Sequence, residues 1–217
     1  MGTSAILRRI FVALAVTLAA TSVTLGATAC GLSDTSPVVV TTPPPDLDRA
    51  PSELRWEPWQ GVNLPFARED GPAKLTEAAL GYSHTPQGAA LAAIHHTVRI
   101  SLAPDDTWAR TAAQSLMPGP GKDAWVLARA QISVTQPASP VVAPRITAYK
   151  FTTYTADRAE LLVYSTYSDN SVTSNKQTVV WSSNDWRLLL PDPVLKTVVV
   201  ESVPAIPADA VQLSAAR

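Results

Sequence analysis

The chain has little of what disulfide or nucleic-acid chemistry requires. Its 217 residues include one cysteine, so no disulfide can form within the chain. Lys and Arg number 17 against 18 Asp and Glu, and the net charge is −1. No basic excess exists to neutralise a run of phosphates, which argues against direct binding of nucleic acid. Without a disulfide, the hydrophobic core alone must hold the fold.

Histidines are few and poorly placed for a metal ion. The chain has three: His84, His95 and His96. Adjacent residues on a helix point about 100° apart, so His95 and His96 cannot chelate one ion together. No Asp or Glu follows either residue at a spacing of three or four. We therefore expect no metal and no cofactor, with one of these two histidines half-buried and the other solvated.

Motifs of nucleophilic or phosphate chemistry are also missing. No Gly-x-Ser-x-Gly elbow occurs, and the prolines of the segment 118–123 (PGPGKD) remove N–H donors that a phosphate loop needs. Asp157, Asp185 and Asp192 fall in predicted turns, where aspartate is common for local reasons. The sequence predicts no catalytic residues.

The first 30 residues have the three parts of a signal peptide. Arg8 and Arg9 form a positive start, residues 10–20 (IFVALAVTLAA) are apolar, and small residues precede Cys30. Thr21, Ser22 and Thr24 interrupt the apolar run, which favours a cleaved signal over a membrane helix. The arginine pair also faintly resembles a twin-arginine export signal.

Residues 26–31 (GATACG) resemble the lipobox of bacterial lipoproteins, with Ala27 where leucine is commonest. That resemblance implies a diacylglycerol on the thiol of Cys30 and a protein anchored by lipid to the outer face of the cell membrane. Acyl chains contribute about 0.8 kcal/mol per buried methylene, so more than one chain holds stably. The alternatives are a free cysteine beside a plain cleavage site and an uncleaved signal anchor.

The remaining chain divides by composition. Residues 31–52 are rich in Pro and Thr and predict an extended linker. Residues 53–84 predict an irregular arm, because prolines interrupt them. Residues 85–203 predict one α+β domain, and residues 204–217 a loose tail.

Helices are expected first within the domain. Thr85 can cap a helix whose first residue is Pro86, and Leu91, Ile94, Val98 and Leu102 then form one apolar stripe. A second helix is expected after Asp105 or Asp106, either of which can cap it. A third is expected over residues 122–131, with Trp125, Ala128 and Ile132 facing inward.

Strands are expected after residue 144. The period changes to two over residues 146–155, 159–168, 177–182 and 186–190, with a possible fifth strand at residues 196–203. Ser183-Asn184-Asp185 predicts a hairpin turn. Helices followed by antiparallel strands indicate an α+β fold, with the helices on one face of a sheet of four to five strands.

Aromatic side chains leave two alternatives open. Trp56 and Trp59 either pack onto their own domain or contact a protein partner. The sheet aromatics form either a half-buried surface or a concave pocket, and by alternation Tyr154 should face away from Tyr149 and Phe151. The side chains that would line such a pocket are Trp125, Tyr149, Phe151, Tyr164 and Trp181.

Two stretches carry a family resemblance. Residues 179–188 (VVWSSNDWRL) resemble the closing hairpin of the nuclear-transport-factor-like fold, a cystatin-like cone of helices on a curved sheet. Residues 64–65, 70–72, 81–82 and 85–93 resemble uncharacterised actinobacterial envelope proteins that are often encoded in conjugative elements. The resemblance implies an accessory role in assembling an envelope secretion or DNA-transfer apparatus, and it implies no catalytic residues.

Two functions are therefore kept in view. The first is a non-enzymatic, lipid-anchored domain that binds protein partners of the envelope. The second is a small-ligand pocket, or an isomerase-like enzyme, on the same fold. A cavity with a polar or ionisable side chain in it would favour the second.

Overall fold

The computed structural model describes residues 43–214. The signal segment, Cys30 and the linker up to residue 42 lie outside the described residues, as do the last three residues. Within residues 43–214 the chain forms an α+β fold with three α-helices. The helices are α1 (Pro86–Leu102), α2 (Trp108–Ser115) and α3 (Pro120–Arg129).

Ten strands complete the described part of the chain. They are β1 (Arg55–Trp59), β2 (Val62–Phe66), β3 (Lys74–Leu75), β4 (Ala79–Leu80), β5 (Arg145–Tyr154), β6 (Arg158–Thr166), β7 (Val172–Ser182), β8 (Asp185–Leu188), β9 (Val200–Val203) and β10 (Val211–Gln212).

Six of these strands form one open antiparallel sheet. Its order is β10-β5-β6-β7-β8, and β9 pairs with the first half of β7 while β8 pairs with the second half. Strands β1 and β2 form a separate hairpin, as do β3 and β4. The predicted class, α+β with helices before antiparallel strands, is confirmed.

Helix α1 begins where the sequence predicts. The Thr85 hydroxyl accepts a hydrogen bond of 3.0 Å from the Gly88 N–H, and Pro86 is the first helical residue. The predicted single apolar stripe is too narrow, because every residue from Pro86 to His96 is buried. Val98 is only half-buried. Helix α1 contacts β2 and β4 as well as β6, β7 and β8, so both of its sides are covered.

His95 and His96 are both fully buried, so the expectation of one solvated histidine is wrong. His95 Nε2 lies 2.8 Å from the Pro65 carbonyl of β2, and His96 Nε2 lies 2.8 Å from the Trp186 carbonyl of β8. A carbonyl can only accept, so each Nε2 carries the proton and donates it. Burial lowers the pKa of His95 to about 3 and that of His96 to about 4, so both rings are neutral.

The region 53–84 is structured, against the predicted irregular arm. Strands β1 and β2 pair from Arg55↔Phe66 to Trp59↔Val62. Gln60 and Gly61 make the turn with positive φ values of 48° and 83°. A side chain at Gly61 would collide with the Ala138 carbonyl, which its Cβ would approach to 1.9 Å. The prolines in this region argued against strands in the sequence. A two-stranded hairpin tolerates proline because each strand has a free edge.

Helices α2 and α3 depart from two expectations. Thr107, not Asp105 or Asp106, precedes α2, and no side chain caps it. The Asp105 carboxylate instead accepts bonds from Ser133 and Val134 and from the Arg129 guanidinium, which hold the pKa of that carboxyl at about 2. On α3 the buried side chain is that of Arg129.

The predicted inward face of α3 is therefore wrong in part. Trp125 is half-buried, but Ala128 is exposed and Ile132 is 58% exposed. The Arg129 guanidinium faces inward because it also donates to the Ala103 carbonyl at 2.8 Å.

Both ends of the described chain bond to the rest of the domain, although a linker and a loose tail were predicted. The Gln87 side chain donates to the carbonyls of Asp46 and Arg49, each at 2.9 Å. At the other end, β10 pairs with β5, and Val211 and Leu213 are buried in the main core.

A bulge in β5 overturns the predicted alternation of its aromatics. The pairing register of β5 with β6 shifts between Phe151 and Thr153. This extra residue turns Tyr154 to the same side as Phe151, and their ring centroids are 5.6 Å apart. Simple alternation cannot anticipate such an insertion.

Leu91 gives the direct test of this packing. Its side chain is fully buried on α1, so Leu91→Ala should lower the free energy of unfolding by about 2–5 kcal/mol. Leu127→Ala is the matched control, because Leu127 is 69% exposed and should change stability by less than about 0.5 kcal/mol. Urea titration measures both. Equal effects would show that α1 is not a core helix.

The buried histidines predict a dependence of stability on pH. Their folded pKa values lie below the unfolded value of 6.5, so the unfolded chain binds more protons as the pH falls. Stability is therefore complete above about pH 6.5 and should fall by about 1.4 kcal/mol per pH unit for each histidine below it. His96→Gln should roughly halve the slope between pH 6.5 and 5. Leu91→Ala should be less stable but keep the full slope, and a flat wild-type profile would contradict the burial.

Candidate functional site

Exposed apolar side chains cluster in the segment that leads into β9. Five of them are between 37% and 81% exposed: Val194 (81%), Leu195 (71%), Val198 (62%), Val199 (37%) and Val200 (49%). They follow β8 in a loop and lead into β9, and we call them the apolar edge. No other strand of the described residues pairs with the outer side of β9.

An edge strand of this kind is an open template for another strand. Its outward N–H and C=O groups have no strand to bond, and proteins usually protect such edges with charge, proline or a covering element. Within β9 the one charged residue is Glu201, and Pro204 follows immediately after the strand. If another chain covered the valines of the apolar edge, the burial of their apolar surface would favour binding.

The two tryptophans of the predicted interface pack on their own domain. Trp56 and Trp59 lie on β1, are half-buried and contact the main hydrophobic core. The Arg99 guanidinium carbon lies 4.8 Å from the centroid of the Trp59 ring, a cation–π distance. This geometry favours the self-packing alternative over a partner contact.

The five predicted pocket residues do not line one cavity. Tyr149 is fully buried in the main core, whereas Tyr164 lies on the opposite face of the sheet with Ala148 and Ala210. The cause is the register, since Tyr149 pairs with Val163 and the next residue points to the other side. Of the five, Trp125 alone borders a described cavity.

Phe151 and Trp181 belong instead to a row of aromatic rings that contact one another, mostly edge to face. Phe151 contacts Tyr154, and Trp181 packs on Trp186 with centroids 5.4 Å apart. The exposed ring of His84 stacks on Trp181 at 4.0 Å and only 10° from parallel. Because these rings contact one another, they close one end of the core rather than open a pocket.

Two buried carboxylates serve the fold. Asp185 accepts N–H bonds from Gly81, Tyr82 and Trp186 at 2.8–3.1 Å. It therefore ties the hairpin of β7 and β8 to the chain just before α1, a role that its position in a predicted turn did not reveal. Asp70 accepts from the hydroxyls of Ser83 and Thr85.

Neither carboxylate belongs to a metal-binding cluster of the described residues. Residues 43–214 contain no group of three His, Cys, Asp or Glu side chains placed to hold a metal ion. His84, His95 and His96 point to three different partners: the carbonyls of Ala156, Pro65 and Trp186. The apolar edge is the candidate site that we consider for function.

From the sequence, this part of the chain was predicted only as a possible fifth strand at residues 196–203. The signal was present in Val198-Val199-Val200, a β-branched run that alternation alone cannot assign to the inside or the outside. Lys196 adopts a left-handed conformation with φ at 49°, which delays the strand to Val200 and leaves the preceding valines in the loop.

The fold and this surface define a small α+β domain with an open sheet edge. The family described as a domain of unknown function (DUF8175) matches residues 16–206, and the chain belongs to that family. No curated protein and no solved structure matches it significantly. None of the helices in residues 43–214 is long and apolar enough to cross a membrane.

Proposed function

We propose that the protein is a lipid-anchored domain on the outer face of the cell membrane that binds a protein partner through the apolar edge. The observation that carries the proposal is the free outer side of β9, bordered by solvent-exposed valines. In this role the domain is not an enzyme and needs no cofactor. Its resemblance to actinobacterial envelope proteins suggests an accessory part in a conjugative or secretion apparatus.

The occupant that fits this edge is an extended segment of another protein. Main-chain N–H and C=O groups of such a segment would bond to β9 and supply affinity, while apolar side chains against Val198 and Val200 would supply specificity. Nucleic acid does not fit, because the surface is apolar and the chain carries no net positive charge.

The cone-shaped, nuclear-transport-factor-like fold belongs to the same proposal. Helix α1 lies across the sheet face, and the bulges of β5 bend that strand as a curved sheet requires. Domains of this shape serve as structural subunits in bacterial conjugation channels, which is consistent with an interaction role by analogy.

Changing Val198 tests partner binding. Val198→Lys places a charge in the centre of the apolar edge and should weaken capture of the partner at least tenfold, because desolvating an unpaired ammonium is costly. Val141→Lys is the matched control, since Val141 is 76% exposed and is not a residue of the apolar edge. A photo-reactive residue at position 198 in the native membrane should cross-link one defined protein, and the same residue at 141 should not.

Both variants should retain the melting temperature of the wild type, because neither valine is buried. Equal cross-linking from positions 198 and 141, or an unchanged partner affinity in Val198→Lys, would refute the proposed surface.

Cys30 tests the anchor. Cys30→Ala removes the thiol that would take the diacylglycerol, so the protein should lose lipid labelling and leave the membrane fraction. Globomycin, which blocks the lipoprotein signal peptidase, should leave the signal segment attached. If neither treatment changes the size or the membrane fraction of the protein, the lipid anchor is wrong.

A further inference from the structure

The backbone of β9 presents two residues to an added strand. The Lys176 N–H of β7 donates to the Val199 carbonyl at 2.7 Å, so Val199 bonds toward β7. Bonding alternates along an antiparallel strand, and Val200 and Ser202 therefore direct their N–H and C=O groups away from β7. No strand of residues 43–214 pairs with that side. An extended polypeptide repeats donors and acceptors at this spacing, which is why it is the occupant that we consider.

The same register places the Val200 side chain on the helix-facing side of the sheet. Val163 of β6, Asn175 of β7 and Val200 of β9 lie opposite one another in neighbouring strands. Side chains that are directly opposite point to the same face, and all three residues border a cavity of about 250 Å³ beside α1. A strand added outside β9 would lie about 4.8 Å from it. Its residue opposite Val200 would therefore place its side chain at the mouth of this cavity.

The cavity is mostly apolar. Ile94 and Val98 of α1 form one wall, and Val62 of β2 and Ile146 of β5 form others. No charged residue borders it among the described residues. Val98 and Leu102, which also border it, are only half-buried and remain partly open to solvent. An apolar cavity of about 150 Å³ is enough to hold a benzene ring. This cavity therefore suits an aromatic or a large aliphatic side chain.

Glu201 adds a charge on the opposite face of β9. Its neighbours Val200 and Ser202 are on the helix-facing side, so the Glu201 side chain faces the other way. Glu201 is exposed and makes no ion pair with any residue in the range 43–214. In β7 it lies opposite Ser174, which carries no charge. Because opposite charges in facing positions of adjacent strands attract, an added strand with a Lys or Arg opposite Glu201 would be favoured.

This inference rests on the partner binding proposed above. We infer that the partner contributes an extended segment in which a large apolar residue enters the cavity beside Val200 and a basic residue lies opposite Glu201. The two residues are adjacent in the partner's sequence, because successive side chains of a strand point to opposite faces. The apolar edge and the cavity then form one binding site, since Val200 belongs to both.

A synthetic peptide tests the apolar residue. The capped, fluorescently labelled peptide TKFKFKT is titrated into the full-length protein in phosphatidylcholine nanodiscs and followed by anisotropy. It should bind saturably, and TKAKAKT, which lacks the aromatic rings, should bind at least fivefold more weakly. Thr173→Leu should abolish that difference, because Thr173 borders the cavity opposite Ser202 of β9 and the larger side chain fills the space. Thr153→Leu is the matched control, since Thr153 is an exposed strand residue that does not border the cavity.

An exchange of charge tests the basic residue. Glu201→Lys places a like charge opposite the lysines of TKFKFKT and should weaken binding of that peptide at least threefold. The peptide TEFEFET should respond in the opposite direction and bind Glu201→Lys more tightly than wild type. Glu69→Lys changes the net charge equally at another exposed position and should alter neither affinity. Misfolding cannot produce this pattern, because one peptide gains affinity where the other loses it.

Ser165→Leu replaces Thr173→Leu if that variant fails to fold, because Ser165 also borders the cavity. Equal affinity of the wild type for TKFKFKT and TKAKAKT, a change of the same sign for both charged peptides in Glu201→Lys, or no saturable binding would overturn the inference. Cross-linking from position 198 decides the partner-binding proposal itself. If position 198 cross-links a defined protein but the phenylalanine peptide has no advantage, the inference alone fails. If position 198 cross-links no protein, both fail.

Discussion

The fold depends on two hydrogen bonds made by neighbouring residues of α1. His95 donates to the Pro65 carbonyl in β2, and His96 donates to the Trp186 carbonyl in β8. Because consecutive side chains on a helix diverge by about 100°, one helical turn is joined to two different layers. The small residues before them, Ala89, Ala90, Ala92 and Ala93, let both layers approach the helix closely. The cost is a pair of imidazoles that cannot be charged without loss of stability.

Because α1 is tightly packed at its N-terminal end, the open space beside the helix lies at its C-terminal end. The first three turns are buried on every side, and the ring of Trp186 fills the region between the helix and the hairpin of β7 and β8. Toward the C-terminal end of α1 the helix meets the polar half of β7, where Asn175 and Gln177 replace apolar residues. A cavity bordered by Thr97, Asn175 and Gln177 therefore lies near the C-terminal end of the helix, beyond the two histidines.

Local signals predicted the elements that local chemistry determines. The cap at Thr85 and the turn at Ser183 and Asn184, whose φ values are 55° and 60°, follow from residue type alone. The hairpin of β1 and β2 and the bulge of β5 depend on distant partners. Gln60 bonds across to Ala138, and the bulge is set by pairing with β6. No spacing within the sequence encodes those contacts.

The candidate site was harder to predict for the same reason. Valines at 198–200 become meaningful only once β9 is seen to lie at an edge and β7 to face α1. The five aromatic residues predicted to line a pocket share a composition but not a face, because Tyr149 and Tyr164 lie on opposite sides of the sheet. Residue type indicated that these aromatic side chains could share a surface, but the strand register determines which face of the sheet each one occupies.

The exposed edge at β9 follows from unequal strand lengths. Strand β7 has 11 residues, but its hairpin partner β8 has only 4, so most of one side of β7 would be left without a partner. Strand β9 covers Val172 to Asn175, and the ends of the loop bond to Lys176 and Thr178 through Val199 and Leu189. Pairing β7 in this way moves the open edge outward to β9 rather than removing it. The open edge of the sheet therefore follows from how one side of this long strand is shared between β8 and β9, and the valine-rich loop that joins them lies beside that edge.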